Sequence, residues 1–528
     1  MKRSLAILLS LLVGLALWAP LALAEDFTVA VGAELEGWDP HTAIFFLANE
    51  INWNTYDRLL TFETIPADES PYGVEMIDST KLKGMLAESW ELREDGKVVI
   101  FHLREGVIFP SGNEFTAEDV RYSIERKWNI PTASRWILNV MGLSTLDNME
   151  IIDDYTIKFT LDAPNAIFLP GWAFLSTMSI VDSAELKKHV TEDDPYGHDY
   201  LNLNITSTGP YTLERYVPGS EVILKAYDGY WGGEPTIDRI IYKVVPEEAN
   251  RVLLLKSGDV DMAYFISAEQ VKNQLMGSPG VNVHSIPTAG SEYFNLQTTR
   301  EPLYNTLVRR AIAYAVPYDD LIENVMYGFA SRATSPVPTL TAYHKDVYPY
   351  DYNPDKAREL LAEAGYEPGE ITLTLSYRLD NPDEESLAIY LKDALEDVGI
   401  NVEIDKVASS RFSEMRGSQD YETSLLFWIP YVNNPIYQLS YGYASSSGCC
   451  NYGRYSNATF DAMIDAAKSE TNPVRREGLV NAMQELIAGE VPIILLYHPN
   501  RQICMRDNVT GYVYWTNFLV RYEVIEKE

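Results

Sequence analysis

Residues 353–404 constrain the fold class more tightly than any other stretch. Asn353-Pro354 opens a helical segment whose Leu360, Leu361 and Ala364 share one face, and Gly365 closes it. Ile371 to Tyr377 then reads as a strand, Asp383 to Val398 as a second helix and Val402 to Ile404 as a further strand. Successive strands joined through a helix pair in parallel, because the crossover carries the chain back to the same end. The chain is therefore read as α/β, with a mostly parallel sheet in its C-terminal half. Elsewhere the same alternation holds. Phe27 to Val31 reads as a first strand, Val98 to Leu103 as a hairpin strand after the turn Glu94-Asp95-Gly96-Lys97, and Thr116 to Lys127 as a capped helix.

The N-terminus bears on where such a chain works. Met1-Lys2-Arg3 is followed by the uncharged run Ser4–Ala24, ending Ala22-Leu23-Ala24, which is the pattern of a signal peptide cleaved near Ala24. An uncleaved anchor is the other reading of such a run. No cysteine precedes residue 30 to carry a lipid, and the expectation is an exported, periplasmic protein. There are 42 Lys and Arg against 76 Asp and Glu, and losing Lys2 and Arg3 with the leader moves the formal charge from −34 to −36. A surface so acidic repels nucleic acid and anionic lipid. The length exceeds one ordinary hydrophobic core, so two or three domains are expected. Tyrosine is abundant, at 35 residues, and its apolar face with a polar tip suits wet clefts.

Catalytic patterns are missing. There is no G-x-S-x-G, H-E-x-x-H, phosphate-binding glycine loop or C-x-x-C, and the seven histidines are scattered. The chain reads as a binding protein and not an enzyme, with no cofactor and no metal.

Three blocks are more specific. The first is Leu86-Ala87-Glu88-Ser89-Trp90-Glu91, with "FHLREGVIFPSGNEFTAEDVRYSIER" at residues 101–126. The second is "STGPYTLERYVPGSEVILKAYDGYWGG" at 207–233, with "RVLLLKSGDVDMA" at 251–263. The third is "VRRAIAYAV" at 308–316, with Gly328 and "SPVP" at 335–338. Together they resemble the peptide/nickel-type extracellular solute-binding proteins of ABC transporters, the family-5 group, and the resemblance runs from about Asp26 to about Tyr514. It implies a bilobal periplasmic-binding-protein fold. Residues 25–290 would form the first lobe, with an extra subdomain inserted at about 55–205. Residues 291–491 would form the second lobe, and 492–528 would return to the first. A small-molecule ligand would sit between lobes that close by a hinge motion, and the closed form would dock on ABC transporter permease subunits. The protein is expected to be a monomer.

The same resemblance directs attention to candidate ligand contacts. Relatives that bind peptides carry an aspartate for the α-amino group after an apolar strand. Here the matching stretch Leu425–Pro435 offers Trp428, Tyr431, Asn433 and Asn434 but no aspartate, which argues for a neutral or weakly charged ligand. A modified peptide or an opine-like conjugate fits that description; an oligosaccharide or a nickel-type metal chelate is the alternative within the class, and an exported enzyme the alternative outside it. Tyr377 and Arg378 fall at a strand end where relatives place contacts. Arg378 could clamp a carboxylate or form an ion pair with Asp380 or Asp383. Phe45, Phe46, Asn49 and Trp53 from the first lobe, and Tyr211 after Gly209-Pro210, are further candidates. Pro317, where the family has an acidic residue, reads as structural.

The three cysteines, Cys449, Cys450 and Cys504, leave three pairings open in an oxidising compartment. A bridge from either of the first two to Cys504 would tie the lobes together. A vicinal Cys449–Cys450 disulfide would stiffen a loop that brings Tyr452 and Tyr455 toward the cleft, whereas a reduced pair would have no ligand role.

Overall fold

The computed structural model describes residues 25–32, 37–43, 45–130, 135–174, 178–379, 381–430, 432–447 and 450–528; the leader expected at 1–24 lies outside them. Among the described residues, strands gather into one 12-stranded sheet and three smaller ones. The large sheet comprises β1 (Asp26–Val31), β2 (Tyr211–Val217), β3 (Glu221–Ala226), β4 (Arg239–Val244), β5 (Met262–Ala263) and β6 (Val281–Pro287) from the first part of the chain. To these are added β7 (Ser291–Leu296), β8 (Ala330–Arg332), β9 (Ile371–Arg378), β10 (Ile400–Val407), β11 (Thr423–Trp428) and β12 (Ile493–Arg506).

The unit read first from the sequence forms as expected. Asn353 caps the helix Pro354–Glu363 by accepting from the Lys356 N–H at 3.0 Å, and Gly365 follows at φ +92°. β9 and β10 pair in parallel from Ile371↔Ile400 to Arg378↔Val407, and β11 joins β9 in parallel. There the parallel run stops. β11 is antiparallel to β7, and β7 to β12, so the C-terminal half holds a mixed sheet and not a mostly parallel one. The reason is topological. β7 carries the chain out of the first body and β12 carries it back, so neighbours in the sheet must run in opposite directions.

In the first body, β1 is flanked in parallel by β4 and β5, and β2–β3–β4 form an antiparallel meander. Gly209, just before β2, passes so close to the helix Phe46–Thr55 that a Cβ there would lie 2.4 Å from the Thr55 carbonyl carbon. A four-stranded sheet (Ala87–Arg93, Val98–Leu103, Thr156–Thr160, Met149–Asp153) is covered by the helices Ala117–Asn129 and Phe168–Phe174. Its core stacks Phe101, Phe159 and Phe168 around Trp172, with ring centroids 5.8–6.4 Å from the indole. Arg126 from the first of these helices grips the buried Asp39 carboxylate, with one contact at 2.7 Å, and His198 completes the cluster at 2.6 Å.

β12 belongs to both bodies. Its 14 residues, roughly 45 Å at about 3.3 Å per residue, pair with β7 at Ile493–Tyr497 and with β6 at Asn500–Arg506. The other crossover, residues 288–290 between β6 and β7, lies beside it. Thr288 Oγ1 donates to the Pro499 carbonyl at 2.8 Å, and His498 Nδ1 lies 2.9 Å from Ser291 Oγ and 3.1 Å from the Gly290 carbonyl oxygen.

Beyond β12 the tail stays on the first body. Val513–Tyr514 adds a parallel strand beside Glu75–Met76. The helix α1 (Phe46–Thr55) fastens the end: Asn54 Nδ2 donates to the Val520 carbonyl at 2.7 Å, and the Tyr522 N–H donates to Asn54 Oδ1 at 3.0 Å.

Candidate ligand cleft

A cavity of about 1100 Å³ opens where the two crossovers meet. Its back is β12 itself, through Tyr497, Pro499 and Arg501, together with Thr288. The first body supplies Phe46 and Asn49 of α1, Glu248 and Arg251 of α2 (Glu248–Ser257), Phe265, Phe518 and Trp136. The second supplies Glu292, Arg378, Asp383, Phe427, Trp428, Cys450 and Tyr452. The bodies also touch across it: the Trp136 and Tyr441 rings meet edge to face at 5.2 Å, and Phe427 stacks on Phe518 at 6.3 Å.

Arg501 is the cation at the back of the cavity. Its guanidinium lies 5.2–5.6 Å from the ring centroids of Phe46, Tyr264, Phe265 and Phe518. Aromatic faces attract a cation electrostatically but leave its N–H donors unused. The buried Nε has no hydrogen-bond partner among the described residues. Two of the rings sit on unusual backbone, with Phe265 at φ +54° and Phe518 at φ +69°. Bulky side chains pay roughly 1–2 kcal/mol for that left-handed region, so packing must hold them there. Arg251 does so for the first, donating to the carbonyls of Tyr264, Phe265, Val245 and Pro246 at 2.7–3.0 Å.

The facing wall is acidic. Arg378 is engaged by Glu384: its Nε donates to Oε1 at 2.9 Å and its backbone N–H to Oε2 at 2.9 Å. Neither the free carboxylate clamp nor the pairing with Asp383 read from the sequence is seen; Asp380 lies outside the described residues. Glu384 opens α3 (Pro382–Asp397), and neighbouring Asp383 has its carboxyl pushed up to about 6 by burial and by Glu248, Glu384 and Glu269 around it. Glu292 is held well above the usual carboxylate range, first by burial and then by Glu384, with Arg378 opposing.

The sequence candidates divide clearly. Trp428, Arg378, Phe46, Asn49, Tyr452 and Cys450 line the cavity. Asn433 and Asn434 do not: Asn433 Oδ1 accepts from Thr341 Oγ1 at 2.6 Å, and Asn434 caps the helix Pro435–Tyr443 by accepting from the Ile436 N–H at 2.9 Å. Both amides are occupied in holding the loop. Tyr377 and Tyr211 are buried in packing away from the cavity, Trp53 is buried against Trp515, and Phe45 is 61% exposed and does not line the cavity. Tyr455 packs on Phe460 in the core. Tyr431 and Cys449 lie outside the described residues. Cys450 is disulfide-bonded, while Cys504 is a free thiol buried in the large sheet and pushed up to about 12 by that burial, so neither pairing with Cys504 forms.

Glu292, Asp383 and Arg501 were not anticipated. The absent aspartate in the 425–435 loop therefore does not leave the cleft without ionisable side chains, because others arrive on β7, α3 and β12. One signal was present for Glu292, the single charged residue of the strand Ser291–Leu296, every residue of which is buried. Nothing comparable marks Arg501.

Comparison with known proteins agrees with the geometry. The family model for bacterial extracellular solute-binding proteins, family 5 (middle), matches residues 81–448. The probable D,D-dipeptide-binding periplasmic protein DdpA of Escherichia coli K12 is 27% identical over 529 residues, covering 97% of both chains. The glutathione-binding protein GsiB of the same organism is 28% identical over 498 residues, covering 93% of this chain and 92% of that one. The periplasmic binding protein DppA from Helicobacter pylori, solved with the peptide STSA, superposes with a TM-score of 0.81 at 27% identity, covering 96% of this chain and 99% of that one.

Proposed function

Because the chain belongs to the bacterial extracellular solute-binding proteins of family 5, a family that delivers small ligands to ABC transporters, we propose that its own ligand is peptide-like and is carried between lobes dividing at the two crossovers. The lobes comprise residues 25–290 with the 492–528 return, and 291–491. The observation that supports this most is the cavity itself: about 1100 Å³, bounded by both bodies, with ionisable side chains at its back and on one wall. That volume accommodates a ligand of a few residues, and binding across both lobes favours the closed form by the difference in contacts it makes there. The names of the relatives, a D,D-dipeptide binder and a glutathione binder, point the same way.

The rest of the reading follows. The leader is removed near Ala24, and the mature monomer works in the periplasm, as the names of DdpA and DppA place those proteins; no helix among the described residues is long and apolar enough to cross a membrane. It binds without turnover. Thermal-shift screening of the purified chain against dipeptides, glutathione, opines, oligosaccharides and nickel chelates tests this. A ligand should raise the melting point in proportion to RT ln(1 + [L]/Kd) and be recovered unchanged. Preference for an oligosaccharide or a chelate would replace the ligand assignment, and turnover would replace the binding role.

A further inference from the structure

Three carboxylates that make no ion pair among the described residues look into the cleft, and they come from both bodies. Glu292 on β7 is 5% exposed, and its Oε1 is enclosed with no hydrogen-bond partner among the described residues. Asp383 at the start of α3 is one of its charged neighbours and makes no ion pair among the described residues. The guanidinium beside Glu292, that of Arg378, is engaged by Glu384, and that of Arg251, near Glu248, donates to four backbone carbonyls. From the other side Glu248 of α2 lines the same cavity and is the leading charged influence on Asp383.

Like charges brought together in a partly dehydrated space repel by several kcal/mol at about 4 Å, where water alone would reduce the cost to about 1 kcal/mol. Glu248 stands on one body and Asp383 on the other, so this repulsion opposes closure. A counter-charge supplied from outside reverses its sign. Aromatic surfaces flank the place: Phe427 is opposite Glu292 on β11 and Tyr497 opposite it on β12, and such faces favour an organic cation. Among the described residues no three carboxylates converge as a metal site.

We propose that Glu292 and Asp383, with Glu248 facing them, seat a cationic group of the ligand, a primary ammonium or a guanidinium, and that this charge permits the lobes to close. The inference rests on the solute-binding reading and narrows it. An ammonium offers three donors and a guanidinium five, enough to satisfy the enclosed Oε1 and a second carboxylate at once. Burial, Glu384 and Asp383 favour a proton on Glu292 in the empty cleft, against Arg378 alone. Seating the cation displaces that proton into solvent.

The test is calorimetric titration of the full mature chain with a panel of dipeptides, each with a free and an N-acetylated amino group, and with agmatine as a guanidinium probe. Among peptides that bind, acetylation should cost at least tenfold in affinity, and binding of the free amine should release a proton, read from its dependence on buffer ionisation enthalpy. In Glu292→Gln and Asp383→Asn the tenfold discrimination should shrink to within about twofold, while the ligand-free melting point of Glu292→Gln should rise. Asp383 is less buried, so its variant carries the test if Glu292→Gln does not fold. Equal binding of free and acetylated peptides, or undiminished discrimination in both variants, would overturn the cation site and leave the solute-binding reading intact. No binding by wild-type protein of any probe, here or in the wider screen, would overturn both.

Discussion

The Tyr522 hydroxyl donates to Glu50 at 2.8 Å, joining residues 472 positions apart. Tyr264 donates to the same carboxylate at 2.7 Å, so one buried Glu binds the C-terminal tail to α1 and to the strand segment beside the cleft.

Glu50 gives stability a defined pH dependence. Burial pushes its carboxyl up from 4.5 to about 7, outweighing the two tyrosine hydroxyls and the Val520 N–H. A folded value above the unfolded one favours the native state below pH 4.5, and that contribution is lost as pH rises through about 7. The expected loss is about 3 kcal/mol. Urea unfolding at several pH values should show this decline in the wild type and a shallower one in Glu50→Gln. Parallel curves would refute it.

The Asp39–Arg126 pair is fully enclosed. Burial opposes ionisation of Asp39, but the Arg126 guanidinium and His198 hold its carboxyl well below the usual range. Asp39→Asn should therefore cost about 3–5 kcal/mol of unfolding free energy, because a buried guanidinium loses its charge partner. The double replacement Asp39→Leu/Arg126→Met should recover much of that loss. A single-variant loss within about 0.5 kcal/mol, the range of ordinary surface substitutions, would count against it.

Arg501 should decide affinity for ligands that carry an anionic group. Its buried Nε has no hydrogen-bond partner among the described residues, while four rings hold it in place. Arg501→Gln should weaken binding of a free-carboxylate dipeptide at least tenfold and of its C-terminal amide by about twofold or less. Equal losses for both ligands would point to a packing role.

Cys450 is bonded and Cys504 is free in a chain of three cysteines, which leaves Cys449 as the partner to test. A non-reducing digest after alkylation of the denatured protein should yield the 445–455 stretch unalkylated and two hydrogens lighter than its reduced form, with Cys504 alkylated. Alkylation of both Cys449 and Cys450 would exclude the bridge.

What could be read in advance follows from range. The helix at 354–363 and strands β9 and β10 obey local rules of capping and periodicity, and they form where those rules place them. The sheet's change of direction beside β11 depends on where the chain crosses between bodies, which no local pattern records. The same limit applied to the cleft. Asn433 and Asn434 carry side chains equally suited to gripping a ligand or a neighbouring backbone, and only their surroundings distinguish the two uses. Tyr211 lies where a contact was expected but is turned into the core. Arg501 becomes notable only when Phe46, Phe265 and Phe518, from three distant segments, close around it.

β12 also sets the mechanics of the molecule. A strand laddered at both ends and shared by two bodies behaves as a torsion bar. Swinging one body against the other must be absorbed as twist over the few residues around Pro499, which has no N–H to commit to a ladder. Arg501 projects from that bar into the cavity, two residues past the proline. Arg501 and the four rings around it all stand on the first-body side of the proline, so the cation rides with that jaw and its distance from the opposite wall is set by how far the bar is twisted.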